Sequence, residues 1–207
     1  MENNPIDNFH NSFPMGDIKE VPTIKDITKR RLKIPNYYMD KKILIVGDAF
    51  SHESSWLRHL GFKNITSTIK SKREIRVGEP IICDLHSLPF GDESFDFVYC
   101  SHVLEHCVAP VIALKEILRV LKKNGEGLLW MPYSDRMQKE FYHLSCFRPY
   151  VWKDLILKSK LHLNHEENYP PREEYGYWVS KDLRPKVSSP NNEPKIKRKV
   201  PNKYPQR

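Results

Sequence analysis

The sequence has no apolar run near the length that a bilayer span needs, which argues against a transmembrane helix. It opens on MENNPIDNFHNSFPMGD, a polar stretch without the apolar core of a secretory signal. Cysteine is scarce. The 4 in 207 residues are Cys83, Cys100, Cys107 and Cys146, three of them in or beside apolar runs, so no disulfide framework is expected. No internal repeat is visible. These absences lead to the expectation of a soluble, cytoplasmic protein with reduced thiols and no membrane partner.

Proline and positive charge are plentiful. The 16 prolines crowd toward the two ends, and the formal charge is +8. Much of that surplus sits in PKVSSPNNEPKIKRKVPNKYPQR, so the middle of the chain is closer to neutral. Such a balance permits nucleic acid or another anionic partner but says nothing about fold. Composition divides the chain into a polar segment over 1–40, a core-forming domain over 41–182, and a basic, Pro-rich tail over 183–207 that cannot bury a core and is expected to be disordered.

Within 41–182 the element types alternate. KKILIVGD reads as a buried parallel strand. SHESSWLRHLGF reads as a helix capped by Ser51, striped by Trp56, Leu57 and Leu60, and stopped by Gly61. NITSTIK, EPIICDL and SFDFVYCSH read as three more strands. PVIALKEILRVLKKNG is the clearest helix, with Pro110 in its first turn, Lys122 and Lys123 at its negative end and Gly125 as terminator. EGLLWMPY is a fifth strand and PYVWKDLILKSKL a further helix, with HLNHEENYP and EYGYWVSKDL as a final antiparallel pair. The fold class is therefore α/β: a Rossmann-like, doubly wound, mostly parallel sheet with a C-terminal antiparallel strand pair. Ligands bind such sheets beyond the strand C-termini. The pattern puts Gly47, Asp48, Ile69, Lys70, Asp84, Ser101, His102, Pro132 and Tyr133 on that edge.

ICDLHSLPFGDESFDFVYCSHVLEHC followed by ALKEILRVLKKNGEGLLWMP resembles the class I S-adenosylmethionine-dependent methyltransferases, the single-domain group called type 11 in particular. HLSCFRP, from His143, matches that group's H-x-x-x-F segment. The resemblance implies S-adenosyl-L-methionine as cofactor. It puts Asp84 and Leu85 at the adenine, Ser101 and His102 under the methionine and sulfonium, and Gly47 to Ser51 in the glycine loop. The ribose-binding acid would fall at Ile69, beside Lys70.

The departures from that pattern concern the loop. The group's D-x-G-x-G-x-G is here Ile45, Val46, Gly47, Asp48, Ala49, Phe50, Ser51, with one glycine kept. Each glycine permits positive φ or close backbone approach. Loss of the ribose carboxylate would cost on the order of 1–3 kcal/mol of binding. Asp48, on the same edge, is the candidate substitute acceptor.

Cys100, His102, His106, Cys107, His143 and Cys146 form a cysteine–histidine group, but C-x-H-x-x-x-H-C matches no zinc module, and no metal is expected. His143 is the candidate general base, because imidazole is poised near neutral pH. Asp96 is expected to anchor the sheet, and the four tryptophans to serve the core. Three readings follow. In the first, the chain methylates an unidentified acceptor, a small molecule by expectation. In the second, it keeps the fold as an inactive binding or scaffolding module. In the third, it associates with nucleic acid through its tail.

Overall fold

The computed structural model describes residues 33–48, 51–71, 79–133, 143–169 and 173–182. The basic tail and most of the N-terminal polar segment lie outside them. Seven strands form one sheet in the order β3-β2-β1-β4-β5-β7-β6. They are β1 (Lys42–Val46), β2 (Asn64–Ile69), β3 (Ile81–Ile82), β4 (Phe95–Ser101), β5 (Leu121–Pro132), β6 (His162–Tyr169) and β7 (Glu174–Ser180). The first five are parallel, and β7 runs antiparallel between β5 and β6. The helices are α1 (His52–His59), α2 (Pro110–Val120) and α3 (Pro149–Lys158). The expected doubly wound sheet with its antiparallel pair is what forms.

Strand alternation builds two cores. Leu44, Val46, Val98 and Cys100 face one side, where Leu114 and Ile117 of α2 and Trp152 and Ile156 of α3 cover them. Ile43, Ile45, Phe97 and Tyr99 face the other, packed with Leu57 of α1, Phe62, Ile34 and Tyr38. Both faces are dry, which is why β1 and β4 read as nearly continuous apolar runs. Each fully buried Leu or Ile there contributes roughly 1.5–3 kcal/mol. Trp130 and Trp152 are buried, whereas Trp56 and Trp178 are only partly covered.

Several local expectations need correction. The long helix ends at Val120, not beside Gly125: Leu121 is extended at φ −69° and ψ 134° and pairs with Phe95. Lys122 therefore leaves the helix end, and its Nζ lies 2.9 Å from both oxygens of Asp96. Asp96 also accepts the Lys42 backbone N–H at 2.9 Å, so it does anchor the sheet. Ser51 precedes α1 but makes no side-chain cap, because its own backbone is left-handed at φ 55°. Leu60 is exposed, and of the three stripe residues Leu57 alone is fully buried. The third strand shortens to Ile81–Ile82, both exposed on the sheet edge, where only β2 pairs with it.

Candidate functional site

At the end of β1 the chain turns sharply. Gly47 has φ +78°, and a Cβ there would overlap Val103 Cγ2, so this one glycine is required. The N–H groups of Gly47 and Asp48 both donate to the Thr68 carbonyl of β2, at 2.9 and 3.0 Å. Asp48 is 1% exposed, and neither of its carboxylate oxygens has a hydrogen-bond donor among the described residues. Leaving a carboxylate in that condition is costly unless a ligand answers it. Ser51 takes the position of a lost glycine at φ 55°, in the left-handed region that glycine favours. Ala49 lies outside the described residues.

A small cleft, open to solvent, lies beside this turn at the strand C-termini. Gly47, Ile69, Lys70, Asp84 and Leu85 line it together. Val46, Thr68, Cys83, His86, Val103, His106 and Cys107 complete the wall. Ser101 and His102 lie outside the wall, which is supplied by the turn that follows them. Asp84 Oδ1 accepts the His86 backbone N–H at 2.9 Å and lies 2.6 Å from His86 Nδ1. The Ala109 N–H donates to His86 Nε2 at 3.3 Å, so Nε2 is an acceptor and the ring proton sits on Nδ1, toward Asp84. The His86 N–H bond, helped by the His86 ring and Lys70 against partial burial, holds the Asp84 carboxyl below its ordinary value. Asp84 is thus ionised, with one oxygen engaged and the other left as an acceptor.

A second cluster lies past the cleft. Leu104–His106 form one turn of 3₁₀ helix after β4. His102, itself at φ 55°, has Nδ1 3.3 Å from Glu105 Oε1 and Nε2 3.0 Å from Glu174 Oε1. Glu105 is 0% exposed and Glu174 2%. Burial pushes the Glu105 carboxyl up, but the facing His102, with His106 behind it, outweighs this and holds it below the ordinary range. His143 packs edge-on to His106, with ring centroids 4.8 Å apart. Ser145 fixes that approach: its N–H donates to the Glu105 carbonyl and its Oγ–H to the Cys107 carbonyl, both at 2.8 Å. The thiols are quiet. Burial, with Glu105 and Asp84 nearby, pushes Cys107 up to about 12, and burial raises Cys83, Cys100 and Cys146 too.

The sequence pointed to His102, His106 and His143 but not to Glu174. The strand-end rule looks at C-termini, and Glu174 begins an antiparallel strand. Its pairing with Pro132 brings that N-terminus to the same edge.

Comparison with known proteins bears on the domain and its fold. Residues 47–129 match the family model described as a methyltransferase domain. A curated relative, an uncharacterised methyltransferase of Bacillus subtilis, is 40% identical over 65 residues, covering 30% of this chain and 26% of its own. The curated relatives are matched over only 20 to 40% of their own length. Among solved structures, a chain of the complex between the Haloferax volcanii Trm112 methyltransferase activator and a methyltransferase aligns with TM-score 0.64 at 12% identity, covering 78% of this chain and 89% of that one. A Burkholderia thailandensis 1,6-didemethyltoxoflavin-N1-methyltransferase, solved with S-adenosylhomocysteine, aligns with TM-score 0.60 at 14% identity, covering 78% and 79%. At such identities the likeness is one of fold.

Proposed function

We propose that the chain, whose residues 47–129 match a methyltransferase-domain family model, is a class I methyltransferase of the type 11 group that binds S-adenosylmethionine in the cleft beside Gly47 and methylates a small acceptor. The observation that carries this is the cleft itself. One rim is a glycine turn that cannot bear a Cβ, and the opposite wall presents an ionised Asp84 beside the apolar Leu85 and Ile69. Those features fit a ligand with a flat amine-bearing base and a ribose. When bound, the cofactor supplies an electrophilic methyl group.

The chain's own residues would do the rest. The second oxygen of Asp84 takes the adenine amine, and the Leu85 backbone meets the ring. Gly47 lets the backbone approach. Asp48 takes a ribose hydroxyl in place of the acid absent at Ile69, and Lys70 flanks that edge. Ser101 and His102 hold the end of β4 under the reacting centre. His143 accepts the acceptor's proton. Methyl transfer depends mainly on alignment, so no further catalytic side chain is required.

A second reading, a binding or scaffolding module without cofactor, is favoured by Ile45, Ile69 and Ser51 standing where the group has an acid, an acid and a glycine. Thermal denaturation with S-adenosylhomocysteine separates the two. Ligand at about a hundred times Kd should add about 2.7 kcal/mol of stability, whereas an unchanged midpoint at millimolar ligand favours the module. A third reading, nucleic-acid binding through the tail, predicts salt-dependent RNA affinity that deletion of 183–207 removes.

A further inference from the structure

Glu105, His106 and His143 place one carboxylate oxygen and two imidazole nitrogens within 4.8 Å of one another. We infer that these three side chains bind a divalent cation of the zinc class at the margin of the cleft. Two imidazoles with one carboxylate suit zinc and its first-row neighbours and leave one coordination position open. Tetrahedral ligation at bonds near 2 Å needs donor atoms about 3.4 Å apart. Rotamer adjustment of the two half-buried histidines would close that gap.

The surroundings are those of a built site. Glu105 is fully buried; His102 Nδ1 faces its Oε1 at 3.3 Å, and Oε2 has no hydrogen-bond donor among the described residues. Glu174, His102 and Glu105 form a chain, at 3.0 and 3.3 Å, that orients the Glu105 carboxylate from behind as ligand-supporting groups do. Ser145 ties the His143 segment to the turn carrying Glu105 and His106 by two 2.8 Å bonds, so the three ligands come from one braced unit. His106 also lines the cleft, which sets the open position at the cleft margin. The cation's task, holding an acceptor through an oxygen or nitrogen donor, rests on the methyl-transfer reading. With the ion bound, His143 would serve as a ligand in place of the base role proposed above, and the cation would acidify the acceptor so that its proton is lost to solvent. The metal site itself does not depend on that reading.

The test uses the untagged full chain, freed of metal with a chelator, titrated with Co²⁺ and then Zn²⁺ without any methyl donor. The site predicts one ion per chain, the visible absorption of low-coordinate cobalt, and no thiolate-to-cobalt charge-transfer band. Zinc affinity should fall roughly tenfold or more in Glu105→Gln and in His143→Ala. Circular dichroism checks that each variant folds, and His143→Ala carries the test if Glu105→Gln does not. Absence of binding by the folded wild-type chain, a thiolate band, or unchanged affinity in a folded variant would overturn the site and leave a charge cluster only. S-adenosylhomocysteine binding is measured separately, so failure of either claim leaves the other standing.

Discussion

Arg119 and Leu88 lie 31 positions apart, yet the Arg119 guanidinium donates to the Leu88 carbonyl at 3.0 Å while Glu116 Oε2 accepts the Leu88 N–H at 2.8 Å. The same guanidinium donates to the Phe90 carbonyl at 2.6 Å and to Asp92 Oδ1 at 2.9 Å. One planar fork thus pins the LPFGDESF loop to α2 and sets where the Asp84 segment leaves the sheet. Lysine cannot reproduce that fork. Arg119→Lys should cost about 1–2 kcal/mol in urea denaturation with an unchanged m-value, and Arg119→Ala more.

Ser51 is held at φ 55° where the group carries glycine. Ser51→Gly should therefore raise stability by about 1 kcal/mol, through relief of left-handed strain. A thermal midpoint that falls would show that the hydroxyl does more than the strain costs.

Asp48→Asn separates the roles of a buried carboxylate. A buried carboxyl without hydrogen-bond partners burdens the ligand-free protein, so the amide should leave its stability unchanged or higher. Loss of the ribose acceptor should weaken S-adenosylhomocysteine by about tenfold, read by equilibrium dialysis.

Asp96 gives a pH dependence of known sign. Burial pushes its carboxyl up, but Lys122 and the Lys42 N–H outweigh this and hold it below its ordinary 3.8. A depressed folded value means the contribution is present above about pH 4 and is lost as pH falls through the folded value. Asp96→Asn should cost about 1 kcal/mol at neutral pH, screening at the half-exposed Lys122 keeping it small. It should also flatten the acid limb of stability against pH. Parallel acid limbs for the two proteins would contradict this.

The fold was legible because burial on both faces forces continuous apolar strands, and because Pro110 and Gly61 mark a helix start and a helix stop. The helix end at Val120 was not, because helical propensity runs on through Lys122 and only the cross-strand Asp96 pulls that lysine into β5. Gly47, Ile69, Lys70 and Asp84 were found by the strand-end rule, and Leu85 by the family resemblance, and all five line one cleft. Glu174 escaped, because an antiparallel strand delivers its first residue, not its last, to the ligand edge. The left-handed Ser51 was hidden too, since serine before a helix reads locally as a cap.

The central claim is that a loop with one remaining glycine still holds the cofactor. Calorimetric titration of the purified chain with S-adenosylmethionine and S-adenosylhomocysteine tests it most directly. The account predicts micromolar binding that Asp84→Ala weakens by roughly tenfold or more. Absence of heat and of thermal stabilisation at millimolar ligand would contradict it, and would leave a methyltransferase fold kept for another purpose.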